Sequence, residues 1–297
     1  MTQKIIIYGP TCSGKTGLAD VLASRLDAII INSDSMQLYS EIPIISAQPS
    51  NYSGNHKLFA FLNGDQNYSS AQWQEQAEGV IGALEKSGRN IIIVGGTGLY
   101  LKALLSGFKQ LPSNSAAQRE QIDTLIKERG IKYLYDAIIS KDPDYANFTT
   151  AHDIQRVRRA YGLLFLHNIS HREYQALPNI SKYKAEDFLK IYIRPERKKL
   201  YLDINNRVNE MLKIGAREEV EAFLQHKYLD SGNVYKAIGI REIAGVLEGR
   251  MSAVEATELM KKNTRNYAKR QITFFNHQIK SDVILSNYND FLISHLN

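Results

Sequence analysis

Eight residues near the N-terminus, Gly9-Pro10-Thr11-Cys12-Ser13-Gly14-Lys15-Thr16, keep the spacing G-x-x-x-x-G-K-S/T. This is the pattern of a phosphate-cradling P-loop. Gly9 and Gly14 let the backbone curl until successive N–H groups point at one anion. Lys15 adds a mobile positive charge, and the Thr16 hydroxyl can hold Mg²⁺. The plainer reading is a glycine turn with a helix-capping Ser or Thr. The flanks favour the cradle: Lys4–Tyr8 reads as a short buried strand, and the apolar-periodic stretch to Leu26 reads as a helix whose N-terminal dipole faces the loop.

A P-loop that transfers a γ-phosphate usually has an acidic residue closing a second strand. The most apolar strand, Asn90–Val94, runs instead into Gly95-Gly96-Thr97-Gly98, a turn that lets backbone approach a ligand closely. The other strand, Ala28–Asn32, is followed by Ser33-Asp34-Ser35. Asp34 could therefore serve Mg²⁺, act as a base on an incoming nucleophile, or be a turn aspartate. Asp153 opens a helix carrying Arg156 and Arg159 three residues apart on one face, suited to phosphates or base edges. Arg265 and Lys269, beside Phe274 and Phe275, could track a nucleic-acid backbone or be the solvated side of a core helix.

The elements that position these groups alternate as in an α/β fold. Helices are expected near Lys15–Leu26, Ala71–Glu85 and Leu99–Leu105. With the three strands they imply a parallel sheet covered on both faces. Between Asp34 and Tyr68 the chain reads as irregular, as functional loops of that length often are. Residues 112–187 read as polar and helical without a strong strand signal, with helices at Ser115–Arg129, Lys132–Ile139 and Ala151–His167. Phe188–Ile193 returns to the sheet. Helices follow at Glu196–Ile214, Ala216–Gln225, Arg241–Leu247 and Ser252–Phe275, then an edge strand at 282–286. The expected fold is a P-loop NTPase-like α/β core, 1–111 and 188–297, with an inserted helical subdomain at 112–187 and a helical C-terminal part.

Composition bounds the rest. The 297 residues are 43% hydrophobic and 23% charged, as in ordinary globular proteins. No run reaches the length of a membrane span. The first strand begins too early for a signal peptide. A single cysteine, Cys12, excludes an internal disulfide, and no Cys/His cluster suggests zinc. The expectation is a cytoplasmic monomer. The net charge of +6 lies wholly in the second part: residues 1–111 carry 8 basic and 8 acidic side chains, leaving 29 and 23 for the remainder. A polyanionic partner or a solvated surface would explain that surplus equally.

Taken together the segments resemble the tRNA dimethylallyltransferases (tRNA isopentenyltransferases), in order along almost the whole chain. The matching stretches are GPTCSGKT at 9–16, DSMQLY at 34–39, His56-Lys57-Leu58 and VGGTGLYLKALL at 94–105. They continue with D-x-x-R-x-x-R-A at Asp153–Ala160, IGIRE at 238–242 and TRNYAKRQITFF at 264–275. The resemblance implies transfer of a dimethylallyl group from dimethylallyl diphosphate to the exocyclic amine of the adenosine 3′ of the anticodon. That base is flipped from the loop into a channel.

By the family pattern the P-loop amides, Lys15, Thr16 with Mg²⁺, and Arg241 stabilise the departing diphosphate, and Asp34 accepts the amine proton. Ser35, Met36 and Gln37 contact the flipped base and its neighbours, and Thr97 contacts tRNA near the channel. Gln155, Arg156, Val157, Arg158 and Arg159 bind RNA from the insertion, joined by Arg119. The chain departs from the pattern after DSMQ. Residues 39–49 read YSEIPIISAQP, so that Ile45-Ser46 stand where Gly-Thr is usual, and Cys12 stands where Ala is usual. Three other readings remain at this point: an enzyme alkylating free adenine nucleotide, a P-loop kinase or NTPase, and a weakened or non-catalytic RNA-binding relative.

Overall fold

The computed structural model describes residues 2–49, 54–109, 111–112, 114–226, 228 and 232–287. The chain divides into two units, one comprising 1–106 and 181–297 and the other Gly107–Ile180. The sequence pattern predicts the boundaries a few residues later, at 111/112 and 187/188.

In the first unit, β1 (Lys4–Tyr8), α1 (Lys15–Leu26) and β2 (Ala28–Asn32) are followed by α2 (Pro43–Ser46), β3 (His56–Lys57), α3 (Ser70–Lys86), β4 (Asn90–Gly95) and α4 (Gly98–Ser106). The stretch read as irregular thus contains a short helix and a short edge strand. Both depend on distant partners. The two carboxylate oxygens of Glu219 accept from Ile44 N and Ile45 N, and β3 is registered on Ile30 and Ile31.

The second unit opens with β5 (Phe108–Lys109), continues through α5 (Ala116–Lys141), α6 (Ile154–Tyr161) and α7 (His171–Ala176), and closes with β6 (Asn179–Ile180), which pairs antiparallel with β5. Two-residue strands leave no apolar run to recognise. Gly130, at φ +77°, breaks α5 where the sequence separates two helices. Asp153 caps α6, its carboxylate accepting from Arg156 N, so the helix begins at Ile154 rather than Ala151. After Tyr161 the chain widens into a π-helical turn, Gly162–Leu166. Ile122, Leu134, Ile138, Tyr145, Val157 and Leu164 form this unit's core.

The first unit resumes with β7 (Leu189–Ile193), α8 (Arg197–Lys213), α9 (Ala216–Gln225), α10 (Ile240–Leu247), α11 (Ala253–Gln278) and β8 (Val283–Leu285). The six strands order as β3-β2-β4-β1-β7-β8, with every pair parallel. Strands of a parallel sheet are buried on both faces. Ile5 and Ile7 accordingly pack with Leu18 and Leu22 of α1, while Ile6 and Tyr8 pack with Trp73, Leu101 and Phe275 from the helices opposite. Register brings the strand ends together: Tyr8 lies beside Gly95 and Tyr192, and Asn32 beside Val94. The P-loop, the Asp34 loop and the Gly95-Gly96-Thr97 turn therefore leave adjacent carboxyl ends, where ligands bind in open α/β sheets.

Candidate active site at the carboxyl edge of the sheet

Close approach fixes the loops. A Cβ on Gly9 would lie 2.3 Å from the Ile193 carbonyl oxygen, and one on Gly95 an equal distance from Ser33. Gln271 of α11 ties two loops together, its Oε1 accepting from Thr11 N (2.8 Å) and its Nε2 donating to the Gly96 carbonyl (2.8 Å). Asn32 shapes the next turn. Its Oδ1 accepts from Asp34 N and its Nδ2 donates to the carbonyls of Asp34 and Leu58. The Asp34 carboxylate accepts from Met36 N (3.0 Å). Thr97 braces this turn, accepting from Ser35 N (2.9 Å) and lying 3.2 Å from the Ser35 hydroxyl.

Two cavities meet this edge. A small polar one of about 60 Å³ is lined by Lys15, Thr16, Asp20, Asp34, Gln37 and Arg207, among others. A larger one of about 320 Å³ shares Thr11, Asp34, Ser46 and Arg207, and adds the apolar side chains of Ile45, Ile204, Val208, Met211, Ile238 and Met260 together with Tyr267. Asp34 thus borders both. Burial pushes its carboxyl above the ordinary aspartate value, opposed by the Met36 N–H and by the charges of Lys15 and Arg207. Burial lowers the Lys15 ammonium to about 8, against the pull of Asp34. Lys15 Nζ donates to the Pro10 carbonyl (2.7 Å), a bond that an anion in the loop could replace.

Thr16 contributes a hydroxyl, and Asp20 and Asp34 contribute carboxylates, to the same small cavity. These hard oxygen donors fit Mg²⁺, which usually takes one or two carboxylates and completes its shell with substrate phosphates and water. Among the described residues no group of three His, Cys, Asp or Glu could hold a metal ion.

All the P-loop positions, Gly9 to Thr16, lie at this edge, and Cys12 adopts φ +62°. Ser35 and Met36 line the larger cavity, and Gln37 lines the smaller, its amide also donating to the Ser46 and Ala47 carbonyls. Arg241 is placed differently. It is exposed on α10 and lines neither cavity. The guanidinium at the cradle belongs to Arg207 of α8, whose Nη1 lies 3.5 Å from both Thr11 Oγ1 and Cys12 Sγ. No local pattern announces Arg207, since it reaches the loop from 195 residues downstream of Cys12. Asp20 did carry a signal, lying one helical turn beyond Thr16 on α1. In the TRNYAKRQITFF segment Thr264, Tyr267 and Arg270 line the larger cavity, Ala268, Gln271 and Phe275 are buried, and Lys269 is exposed.

In the other unit, Arg119 is exposed in the first turn of α5. The run Gln155–Arg159 is sorted by the helix. Val157 is fully buried in the unit's core, so its side chain cannot meet RNA, and Arg158 is ion-paired with Asp123. Gln155, Arg156 and Arg159 remain exposed. Among the described residues no helix is long and apolar enough to cross a membrane.

Comparison with known proteins gives a consistent result. Residues 37–278 match the IPP transferase family. The tRNA dimethylallyltransferase of Agrobacterium fabrum is 37% identical over 281 residues, covering 94% of each chain. That of Rickettsia bellii is 38% identical over 293 residues, covering 97% of this chain and 93% of its own. A crystal structure of a eukaryotic dimethylallyltransferase acting on tRNA superposes with a TM-score of 0.82 at 26% identity, covering 99% of this chain and 76% of that one. A tRNA isopentenylpyrophosphate transferase from Bacillus halodurans gives 0.67 at 27% identity, covering 96% and 90%.

Proposed function

The chain belongs to the IPP transferase family, and we propose that it transfers a dimethylallyl group from dimethylallyl diphosphate to the exocyclic amine of the adenosine 3′ of the anticodon in tRNA. The observation that carries this reading is the position of Asp34 on the rim shared by a polar cavity that holds Lys15, Arg207 and Thr16 and a larger, partly apolar one. A diphosphate needs the first and an allylic tail with a flat base needs the second. The reacting carbon would then lie at the boundary, beside a carboxylate.

The residues divide the work. The P-loop amides, Lys15 and Arg207 take up the charge that develops on the diphosphate as the allylic C–O bond breaks. Preorganised donors of this kind supply the largest electrostatic share of many rate enhancements. Mg²⁺ held by Thr16 and the diphosphate would neutralise further charge there. As the C–N bond forms, the adenine amine loses a proton, and Asp34 accepts it. A carboxyl raised by burial is a stronger base than a solvated one. Thr97 keeps the Ser35 turn in place and Gln271 locks the P-loop against Gly96, so both act as positioning residues. We place the enzyme in the cytoplasm as a monomer, with the exposed Gln155, Arg156, Arg159 and Arg119 on RNA.

The test is acceptor choice. Purified protein, Mg²⁺ and labelled dimethylallyl diphosphate are incubated with an unmodified anticodon stem-loop or with AMP. Label in the stem-loop alone is the expected result. Label in AMP would move the acceptor to free nucleotides, and γ-phosphate transfer from ATP without alkylation would replace the reading with a kinase.

A further inference from the structure

The Gly107–Ile180 unit carries its own partly open cavity of about 390 Å³, within the range of small-molecule sites. Four rings line it: Tyr145, Phe148, His171 and Tyr174. His171 is central, with ring centroids 4.0 Å from Phe148, 5.4 Å from Tyr145 and 5.9 Å from Tyr174. Phe148 is 52% exposed, an unusual position for a phenylalanine that serves only a core. Burial and the nearby Lys109 charge lower the His171 pKa, opposed by Asp142.

Arg156 and Arg159 line the same cavity. Arg156 shares its charge with the cap residue Asp153 at 3.3 Å, and Arg159 has no ion pair among the described residues. The carboxylate in the lining, Asp142, is engaged in accepting from His171 N (2.6 Å). Part of the wall comes from the π-helical turn Gly162–Leu166, a rare feature that concentrates at functional sites. Thr149, also in the lining, is 9% exposed, and its hydroxyl has no hydrogen-bond partner.

Rings beside guanidinium groups select a flat ligand with a negative charge attached. A bare phosphate has no use for four rings, and a hydrocarbon has none for two arginines. An unstacked nucleobase with its phosphate uses both. We propose that this cavity takes one nucleobase of a single-stranded RNA loop, stacked against Phe148, with its flanking phosphate on Arg156 and Arg159. This base is a second one, separate from the adenosine that reacts. The inference rests on the reading of RNA as the acceptor, and a free mononucleotide offers the same chemistry.

The experiment uses the full chain and anticodon stem-loops carrying 2-aminopurine at one non-reacting loop position at a time. One position should be quenched on binding to the wild-type chain and not on binding to Phe148→Ala. In the transfer assay Phe148→Ala should raise the stem-loop KM roughly tenfold, the scale of one lost stacking contact. Its kcat at saturating RNA should be unchanged, and Phe148→Tyr should restore KM. Arg159→Gln should raise KM and reduce the salt dependence of binding by about one phosphate contact. Unchanged KM in Phe148→Ala and Arg159→Gln, while the wild-type chain alkylates RNA normally, would overturn the proposal and leave the enzymatic reading intact. AMP binding to wild type but not to Phe148→Ala, with RNA KM unchanged, would overturn the RNA source. A wild-type chain that neither binds nor alkylates the stem-loop would overturn both readings together.

Discussion

The cavities of the two units are assembled in opposite ways. At the sheet edge most of the reactive groups come from short contiguous stretches, residues 9–16, 34–37 and 95–97, each leaving the end of a parallel strand. Strand register sets their separation. In the Gly107–Ile180 unit the lining comes from α5, the turn after it, α6, the π-helical turn and α7, one or a few side chains from each. There, only helix packing sets the separations. A site made of strand ends suits chemistry, which tolerates little misplacement. A cavity between short helices suits grip on a ligand that reacts elsewhere.

The steepest loss of turnover should come at Asp34. Asp34→Asn keeps an acceptor for Met36 N but removes the proposed base, so kcat should fall about 10²–10⁴-fold with the stem-loop KM little changed. That is the reverse of the KM effect expected for Phe148→Ala. Single-turnover rates and RNA titrations of the two variants would separate them, and a shared pattern would erase the division. Next comes the pair of arginines. Arg207→Ala should cost roughly 10²–10³-fold in kcat, as for loss of one preorganised donor. Arg241→Ala, outside both cavities, should cost far less. Equal losses would place Arg241 in the machinery after all.

The pH profile of kcat/KM follows from the two shifted groups. As the proposed base, Asp34 would work as a carboxylate, and its pKa is raised, so activity should fall with decreasing pH at values above the ordinary aspartate range. In the proposed diphosphate cradle Lys15 would work as a cation, and its pKa is lowered to about 8, so activity should also fall as pH rises through about 8. Asp34→Asn should abolish the acid limb and spare the alkaline one. The smallest effect concerns the donor. Ile45 borders the larger cavity where the family resemblance expects Gly. Ile45→Gly should improve kcat/KM for geranyl diphosphate relative to dimethylallyl diphosphate by roughly tenfold, measured by competition between the two donors.

Much of the catalytic unit was legible because its signals are local. The P-loop spacing, the unbroken apolar strands and Asp34 after β2 each need only a few neighbouring residues. Arg207, Gln271 and Tyr267 were not singled out, because what gives them meaning is a contact made across the chain. Val157 shows the reverse error. A motif read as a continuous RNA-binding run cannot tell the face of α6 that enters the core from the face that meets solvent. The short helix at Pro43–Ser46 was missed because its N-terminus is capped by Glu219 from α9, which no local pattern predicts.

In the proposed reaction a diphosphate leaving at the P-loop and an amine alkylated beside Asp34 are two halves of one step. The most direct measurement counts both products in a single turnover, released diphosphate and the alkylated nucleoside identified by nuclease digestion and mass spectrometry. One diphosphate per N6-dimethylallyladenosine, located at the nucleotide 3′ of the anticodon, is the predicted result. Diphosphate released without RNA alkylation, or the alkyl group found on another atom or nucleotide, would contradict it.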